Sequence, residues 1–274
     1  PPTRPLPLIL QTPADANYTV DRACAALRDI AVLAQLARQK LFLVSGTLLG
    51  FAREKNLMAH DKDVDLGIMG HVGLAQLVRM AIESKLFHIP PQYLKGKETV
   101  QVPFIHTPTG VWIDLFVYSE RDGGLVTGVD FQFGYRQTFK FTPFDLVPID
   151  FLNVSLYAPA DIDRNLQENF GNWKTPDPSY ISHLESPSTM DKGGWVHLLT
   201  ARIWIIRAIQ EGKTLRLQKA IACLREYPQN PGAPTPEMLS QLDRYLAYSM
   251  ASHSQASAGE EAAKDEQIAE LAAP

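Results

Sequence analysis

Cysteine is scarce: of 274 residues only Cys24 and Cys223 are cysteines. Two such residues make neither a disulfide framework nor a zinc-ligand pattern. Buried free thiols in a reducing compartment are expected, and the cytoplasm is the expected location. No stretch approaches the ~20 apolar residues of a membrane span, so no membrane span is expected. No basic block appears, and the formal net charge is −4. That argues against nucleic acid as a partner and points to a small or polar one. The opening Pro1-Pro2-Thr3-Arg4-Pro5 resembles neither a signal nor a transit peptide. It is expected to mark a domain cut from a longer, multidomain chain.

Apolar residues make up 45% of the chain, enough for a substantial core. Five prolines in residues 1–17 deny that segment a helix, so 1–18 reads as an extended arm. Val20, Ala23, Leu27, Ile30, Ala31 and Ala34 recur at helical spacing from Thr19 to about Lys40. Leu41–Val44 is a short buried strand, Gly46 breaks it, and Thr47 to Arg53 reads as a helix. Asp63–Met69 alternates charged and apolar residues as a half-buried strand does. Residues 72–87 return to helical spacing. Thr99–His106 and Val111–Tyr118 are strands joined by a turn at Thr107–Gly110. Residues 125–157 continue as β structure, with Val129, Phe131, Phe133 and Tyr135 alternating. Residues 161–170, 195–210, 213–227 and 235–249 are expected helices, and 251–274 an Ala/Ser/Glu-rich disordered tail. The pattern is α+β.

The most informative segment is His60-Asp61-Lys62-Asp63-Val64-Asp65-Leu66-Gly67-Ile68. In an extended conformation Asp61, Asp63 and Asp65 share one face and Val64, Leu66 and Ile68 turn to the core. Clustered carboxylates repel one another unless a cation sits among them. A hard, oxygen-liganded cation such as Mg²⁺ resolves the repulsion. A solvated, charged strand edge is the competing reading. An EF-hand loop is excluded, because its sixth and twelfth positions require Gly and Glu and hold Leu66 and Val72. Lys62 should point away into solvent, and His60 is a neighbour rather than a ligand. Upstream, Val44-Ser45-Gly46-Thr47 is a strand running through a small-residue turn into a helix. Its amides could approach a phosphate, or Ser45 or Thr47 could simply cap the helix. Downstream, Trp112-Ile113-Asp114-Leu115-Phe116-Val117 buries a lone carboxylate in an apolar strand, which requires a cation or a strong donor.

Together, Ser45-Gly46, Asp63-Val64-Asp65-Leu66 and the later Asp114 resemble the signature of the nucleotidyltransferase superfamily. More narrowly, Gly46-Thr47-Leu48-Leu49-Gly50-Phe51-Ala52-Arg53 followed by the acidic run resembles the LicD and fukutin-related family of phosphotransferases. Phe170-Gly171-Asn172-Trp173-Lys174-Thr175-Pro176 resembles the Tyr-Gly-x-Trp-x-x-Pro segment that closes that family's domain. The resemblance implies Mg²⁺-dependent transfer of phosphocholine, ribitol phosphate or glycerol phosphate from a CDP-linked donor to a glycan hydroxyl, in cell-surface or capsular polysaccharide. By the same resemblance Asp63 and Asp65 hold Mg²⁺, with Mn²⁺ the alternative, and Asp114 is the third catalytic carboxylate. Ser45, Gly46 and Thr47 form the donor-binding turn, and Arg53 faces the donor phosphates. Bacterial members usually carry Pro-Trp before a continuous acidic run. Here Ala59-His60 precede it and Lys62 interrupts it, which leaves the place of Asp61 among the metal ligands open.

The expected fold is a nucleotidyltransferase-like mixed sheet flanked by helices over residues 19–188, with a helical annex over 189–250. Trp112, Tyr135 and Trp173 could stack on a base or sugar, though core packing competes for each. Gln132, Arg136 and Lys140 are candidates for the acceptor side. Two other functions compete: transfer of a nucleoside monophosphate, and non-catalytic binding of glycan or nucleotide. An inactive binding domain has no use for a mutually repelling acidic trio.

Overall fold

The computed structural model describes residues 17–94, 96–131, 134–230 and 233–248. The expected arm before Asn17, the tail from 251, Gln132 and Phe133 lie outside them. The first helix, α1 (Val20–Leu36), starts where Thr19 Oγ1 accepts from the Arg22 amide at 3.3 Å. Ala23, Leu27, Ile30, Ala31 and Ala34 are buried, as the spacing predicts. It ends short of Lys40 because Arg38 turns left-handed at φ 55° and Gln39 bonds back to Ala34. Then follow β1 (Phe42–Leu43), α2 (Ser45–Glu54), β2 (Val64–Met69), α3 (Gly70–Ser84) and β3 (Phe87–His88). Residue 87, expected at the end of a helix, instead opens β3, because Lys85 adopts φ 59° and stops α3. The remaining strands are β4 (Gln101–His106), β5 (Trp112–Arg121), β6 (Gly124–Asp130), β7 (Arg136–Phe141), β8 (Leu146–Phe151) and β9 (Val154–Pro159). The helix α4 (Ile162–Phe170) follows, its N-cap Asp161 accepting from the Arg164 amide at 3.0 Å.

These strands form one mixed sheet in the order β3-β4-β5-β2-β1-β9-β8, with β6 and β7 continuing from the far end of β5. β2 and β5 run parallel with Asp65 opposite Asp114, whereas β1 runs antiparallel to β2 with Leu43 opposite Leu66. Val64, Leu66, Ile68, Ile113, Leu115 and Val117 are all at most 1% exposed, in a core shared with α1 and α3. Burying each such side chain stabilises the fold by ~1.5–3 kcal/mol relative to exposure. A one-residue slip of either strand would put carboxylates into that core. The core therefore holds Asp65 and Asp114 on the opposite face. On that face Phe42, Val44, Tyr118, Leu125, Phe139 and Phe141 form a second cluster.

The alternation expected across 129–135 is interrupted by a hairpin turn. β6 ends at Asp130, the Phe131 amide donates to the Tyr135 carbonyl, and Gly134 sits at φ 81°. Arg136 pairs with Asp130 at 2.7 Å and with Glu98 at 3.6 Å, and Lys140 donates to the carbonyl of Asp122 in the β5–β6 turn at 2.7 Å. Compact packing divides the described chain into a unit reaching Pro176 that includes Glu185–Met190, and a second of Asp177–Leu184 with the residues from Asp191 onward. The second unit contains α5 residues Ser182–Leu184 of Ser182–Glu185, α6 (Trp195–Glu211), α7 (Thr214–Glu226) and a helical stretch over 236–248. Leu198, Ala201, Ile205, Leu217, Ile221 and Leu224 form its core. There His197 takes the Gly193 amide on Nδ1 at 2.9 Å and meets the Leu184 carbonyl through Nε2 at 3.1 Å, the pattern of a neutral structural imidazole. Among the described residues no helix is long and apolar enough to cross a membrane.

Gly67 lies against Phe42: an added Cβ would stand 2.3 Å from the ring. Gly67→Ala should therefore lower stability by about 1–3 kcal/mol through overpacking. Denaturant unfolding checks this, and a combined Phe42→Leu change should recover part of the loss.

Candidate active site

The antiparallel β1–β2 pair sets the end of β1 beside the start of β2. The turn from β1 into α2 consequently meets Asp65. Ser45 is left-handed at φ 44°, and the Gly46 amide donates to Asp65 Oδ2 at 2.8 Å. In return the Asp65 amide donates to Thr47 Oγ1 at 2.8 Å. An added Cβ on Gly46 would stand 2.8 Å from Asp61 Oδ2 and 3.1 Å from Asp65 Oδ2. Glycine is required there because two carboxylates close on the backbone. On the other side the parallel β2–β5 pair sets Asp114 next to Asp65, at the ~4.8 Å spacing of neighbouring strands. Asp63, Asp65 and Asp114 each offer an oxygen within 4.8 Å of the others, and all three are half-buried.

The electrostatics are those of a site built for a cation. Burial first, then the charges of Asp63, Asp61 and Asp114, push the Asp65 carboxyl well above the usual carboxylate range, against the Gly46 hydrogen bond. Burial raises Asp114 to about 6, opposed by a hydrogen bond from Gln101. Burial also raises Asp61, opposed by the Lys62 amide and by His60. Three carboxylates at this separation offer a hard, all-oxygen donor set, which suits a hard divalent cation and not a soft metal.

The structure treats the sequence-predicted residues unequally. It brings Asp63, Asp65 and Asp114 together. β2 begins at Val64, so Asp61 and Asp63 both precede it; the Asp61 carboxylate abuts Gly46 and stands outside the trio. Thr47 does not cap α2; its hydroxyl accepts from the Asp65 amide. The Gly46 amide is likewise engaged by Asp65. Arg53 lies about two turns along α2 from Gly46, and its guanidinium donates to the Trp173 carbonyl. Its Nε is buried without a hydrogen-bond partner among the described residues. Arg53 thus joins the Gly46–Arg53 segment to the Phe170–Pro176 segment. Trp173 packs on the core and Trp112 is half-buried, while Tyr135 is exposed near the β6–β7 turn. His60 and Lys62 are exposed.

Some contributors carry no motif. Gln101 on β4 donates to Asp114 Oδ2 at 2.8 Å. Asn169 on α4 reaches Ser45 Oγ at 3.4 Å, and Ser186 donates to the Asn169 carbonyl oxygen at 3.4 Å. In the sequence Gln101 is no more than a polar residue at one end of an apolar strand. Asn169 is a polar residue one position before the Phe170 motif.

A mixed sheet flanked by helices, with a small-residue turn facing carboxylates on two adjacent parallel strands, defines a nucleotidyltransferase-like fold. Residues 38–161 match the family described as LicD/FKTN/FKRP, nucleotidyltransferase domain. The chain is 25% identical over 182 residues to the human ribitol-5-phosphate transferase FKTN, covering 63% of this chain and 39% of that protein. It is 27% identical over 139 residues to an uncharacterized protein of Rickettsia prowazekii (strain Madrid E), covering 49% of this chain and 48% of that one. The chain thus spans about two fifths to one half of the curated relatives it matches. Among solved structures, the lincosamide antibiotic adenylyltransferase LnuA aligns at a TM-score of 0.34 with 13% identity, covering 55% of this chain and 85% of that one.

The raised Asp114 carboxyl makes a pH prediction. Its unfolded value is ~3.9 and its folded value about 6. Its protonated form therefore favours the fold fully below the lower value, and that contribution is lost as pH rises through the higher one. In metal-free buffer, the melting temperature of the parent should fall relative to Asp114→Asn between about pH 4 and pH 7. A difference between the two proteins that does not change across this window would show that burial of the Asp114 carboxyl does not act on the fold.

Proposed function

We propose that this chain transfers a phosphorylated small group, ribitol phosphate foremost, from a CDP-linked donor to a sugar hydroxyl of a glycan. The observation that carries the proposal is the gathering of Asp63, Asp65 and Asp114 at the β2–β5 register, beside the Ser45-Gly46 turn, in a domain that matches the LicD family. The relative named for ribitol-5-phosphate transfer favours ribitol over choline and glycerol.

Asp63, Asp65 and Asp114 would hold Mg²⁺, which when bound supplies charge neutralisation for the phosphates of the donor. The acceptor oxygen attacks the distal phosphorus of the diphosphate, a new P–O bond forms, the P–O bond to CMP breaks, and CMP leaves. The hydroxyl proton passes to a carboxylate of the site, a role for which Asp114 is the candidate. The Gly46 amide and Thr47 hydroxyl orient Asp65, so its carboxylate is positioned before substrate arrives. Most of the rate comes from such positioning and from electrostatics.

Asp63→Asn and Asp65→Asn should each cut turnover by ~10²-fold or more while leaving a folded protein. The assay is release of CMP from CDP-ribitol, with CDP-choline and CDP-glycerol in parallel, in step with modification of a glycan acceptor. Pyrophosphate released from a nucleoside triphosphate, with nucleotide on the acceptor, would assign the chain to nucleotide transfer instead.

A further inference from the structure

We propose that Gln101 is a positioning residue for the metal site: its side-chain amide holds one oxygen of Asp114 and thereby fixes the carboxylate beside Asp63 and Asp65 before any cation binds. The proposal rests on the cation site of the proposed function. β4 and β5 pair antiparallel with Gln101 opposite Phe116 and Pro103 opposite Asp114. The Val117 amide donates to the Val100 carbonyl at 2.8 Å, and the His106 amide to the Val111 carbonyl at 2.8 Å. Those bonds set the alternation, so 101/116 and 103/114 are the pairs without mutual backbone bonds, where strands approach most closely. Pro103 fits there because no amide is required of it. Gln101 and Asp114 then stand diagonally on one face, within reach for a long side chain. The 2.8 Å contact from Gln101 Nε2 to Asp114 Oδ2 completes the link.

The physical need is clear. An Asp side chain has two rotatable bonds, and repulsion from Asp63 and Asp65 drives the carboxylate of Asp114 away from them. Binding a cation to a scattered set would require gathering like charges first. A neutral donor on one oxygen opposes that scattering without adding charge, and leaves the other oxygen for the cation. Outer-shell partners that orient a ligand in this way change metal affinity by ~10–100-fold when removed.

The test uses the full chain without substrate, and follows Mn²⁺ binding by electron paramagnetic resonance of the free ion. Gln101→Met keeps the size and loses the donor, while Gln101→Asn keeps the amide but falls short of Asp114. Both should stay folded and bind Mn²⁺ ~10–100-fold more weakly than the parent. In turnover, both should need more Mg²⁺ for half-maximal rate, with kcat at saturating Mg²⁺ largely recovered. Unchanged Mn²⁺ affinity in both variants, with binding lost in Asp114→Asn, would overturn the Gln101 proposal and leave the metal site standing. A parent that binds no Mn²⁺, or an Asp114→Asn variant that binds as the parent does, would overturn the metal site and this proposal together. Loss of the fold in both Gln101 variants would make Gln101 a strand anchor and also overturn it.

Discussion

The structure depends on one register: Asp65 on β2 opposite Asp114 on the parallel β5. Period two couples that pair to the core, because the residues between and beside them are the fully buried Val64, Leu66, Ile113 and Leu115. The hydrophobic effect thus does electrostatic work. Burying the alternate residues of two neighbouring strands forces two like charges to within a strand spacing on the other face. The core is large enough to tolerate the resulting repulsion, and the repulsion is what makes the face attractive to a hard cation.

Everything around that register serves the same end. The antiparallel β1 carries the Ser45-Gly46 turn to Asp65, where the Gly46 amide holds the carboxylate and the Thr47 hydroxyl accepts from the Asp65 backbone amide. Antiparallel β4 brings Gln101 to Asp114 from the opposite flank. The left-handed backbone at Ser45, a non-glycine residue, is a local cost accepted where the chain must turn sharply beneath two carboxylates. Asn169 reaches the same Ser45 from α4, so the segment next to the Phe170–Pro176 motif braces the turn. Arg53 joins that motif to α2 by its bond to the Trp173 carbonyl.

Much of this is legible in the sequence, for identifiable physical causes. The strand β2 shows itself because alternation of charged and apolar residues is the mark of a half-buried strand, and β5 because it is a short apolar run around one carboxylate. Asp63, Asp65 and Asp114 stand out because a carboxylate amid apolar residues is costly unless it is used. What local patterns do not state are features set by pairing between distant segments. Gln101 acquires its meaning from the β4–β5 register. Thr47 accepts from the Asp65 amide, a contact that exists because β1 and β2 are antiparallel neighbours. Period two, extended back to Asp61, runs past the point where the strand begins. The helix ends at Arg38 and Lys85 escape because left-handed non-glycine residues leave little trace in sequence. The break between β6 and β7 escapes because apolar alternation runs on through a turn whose signal is one glycine, Gly134.

The central claim is that the face created by the Asp65–Asp114 register is a divalent-cation site. Anomalous diffraction from crystals grown with Mn²⁺ tests it without any assumption about donor or acceptor. The expected result is an anomalous peak within ~2.0–2.4 Å of oxygens from Asp63, Asp65 and Asp114, with oxygen-only coordination. Diffraction showing no peak at this trio, or Mn²⁺ held only elsewhere on the chain, would contradict it.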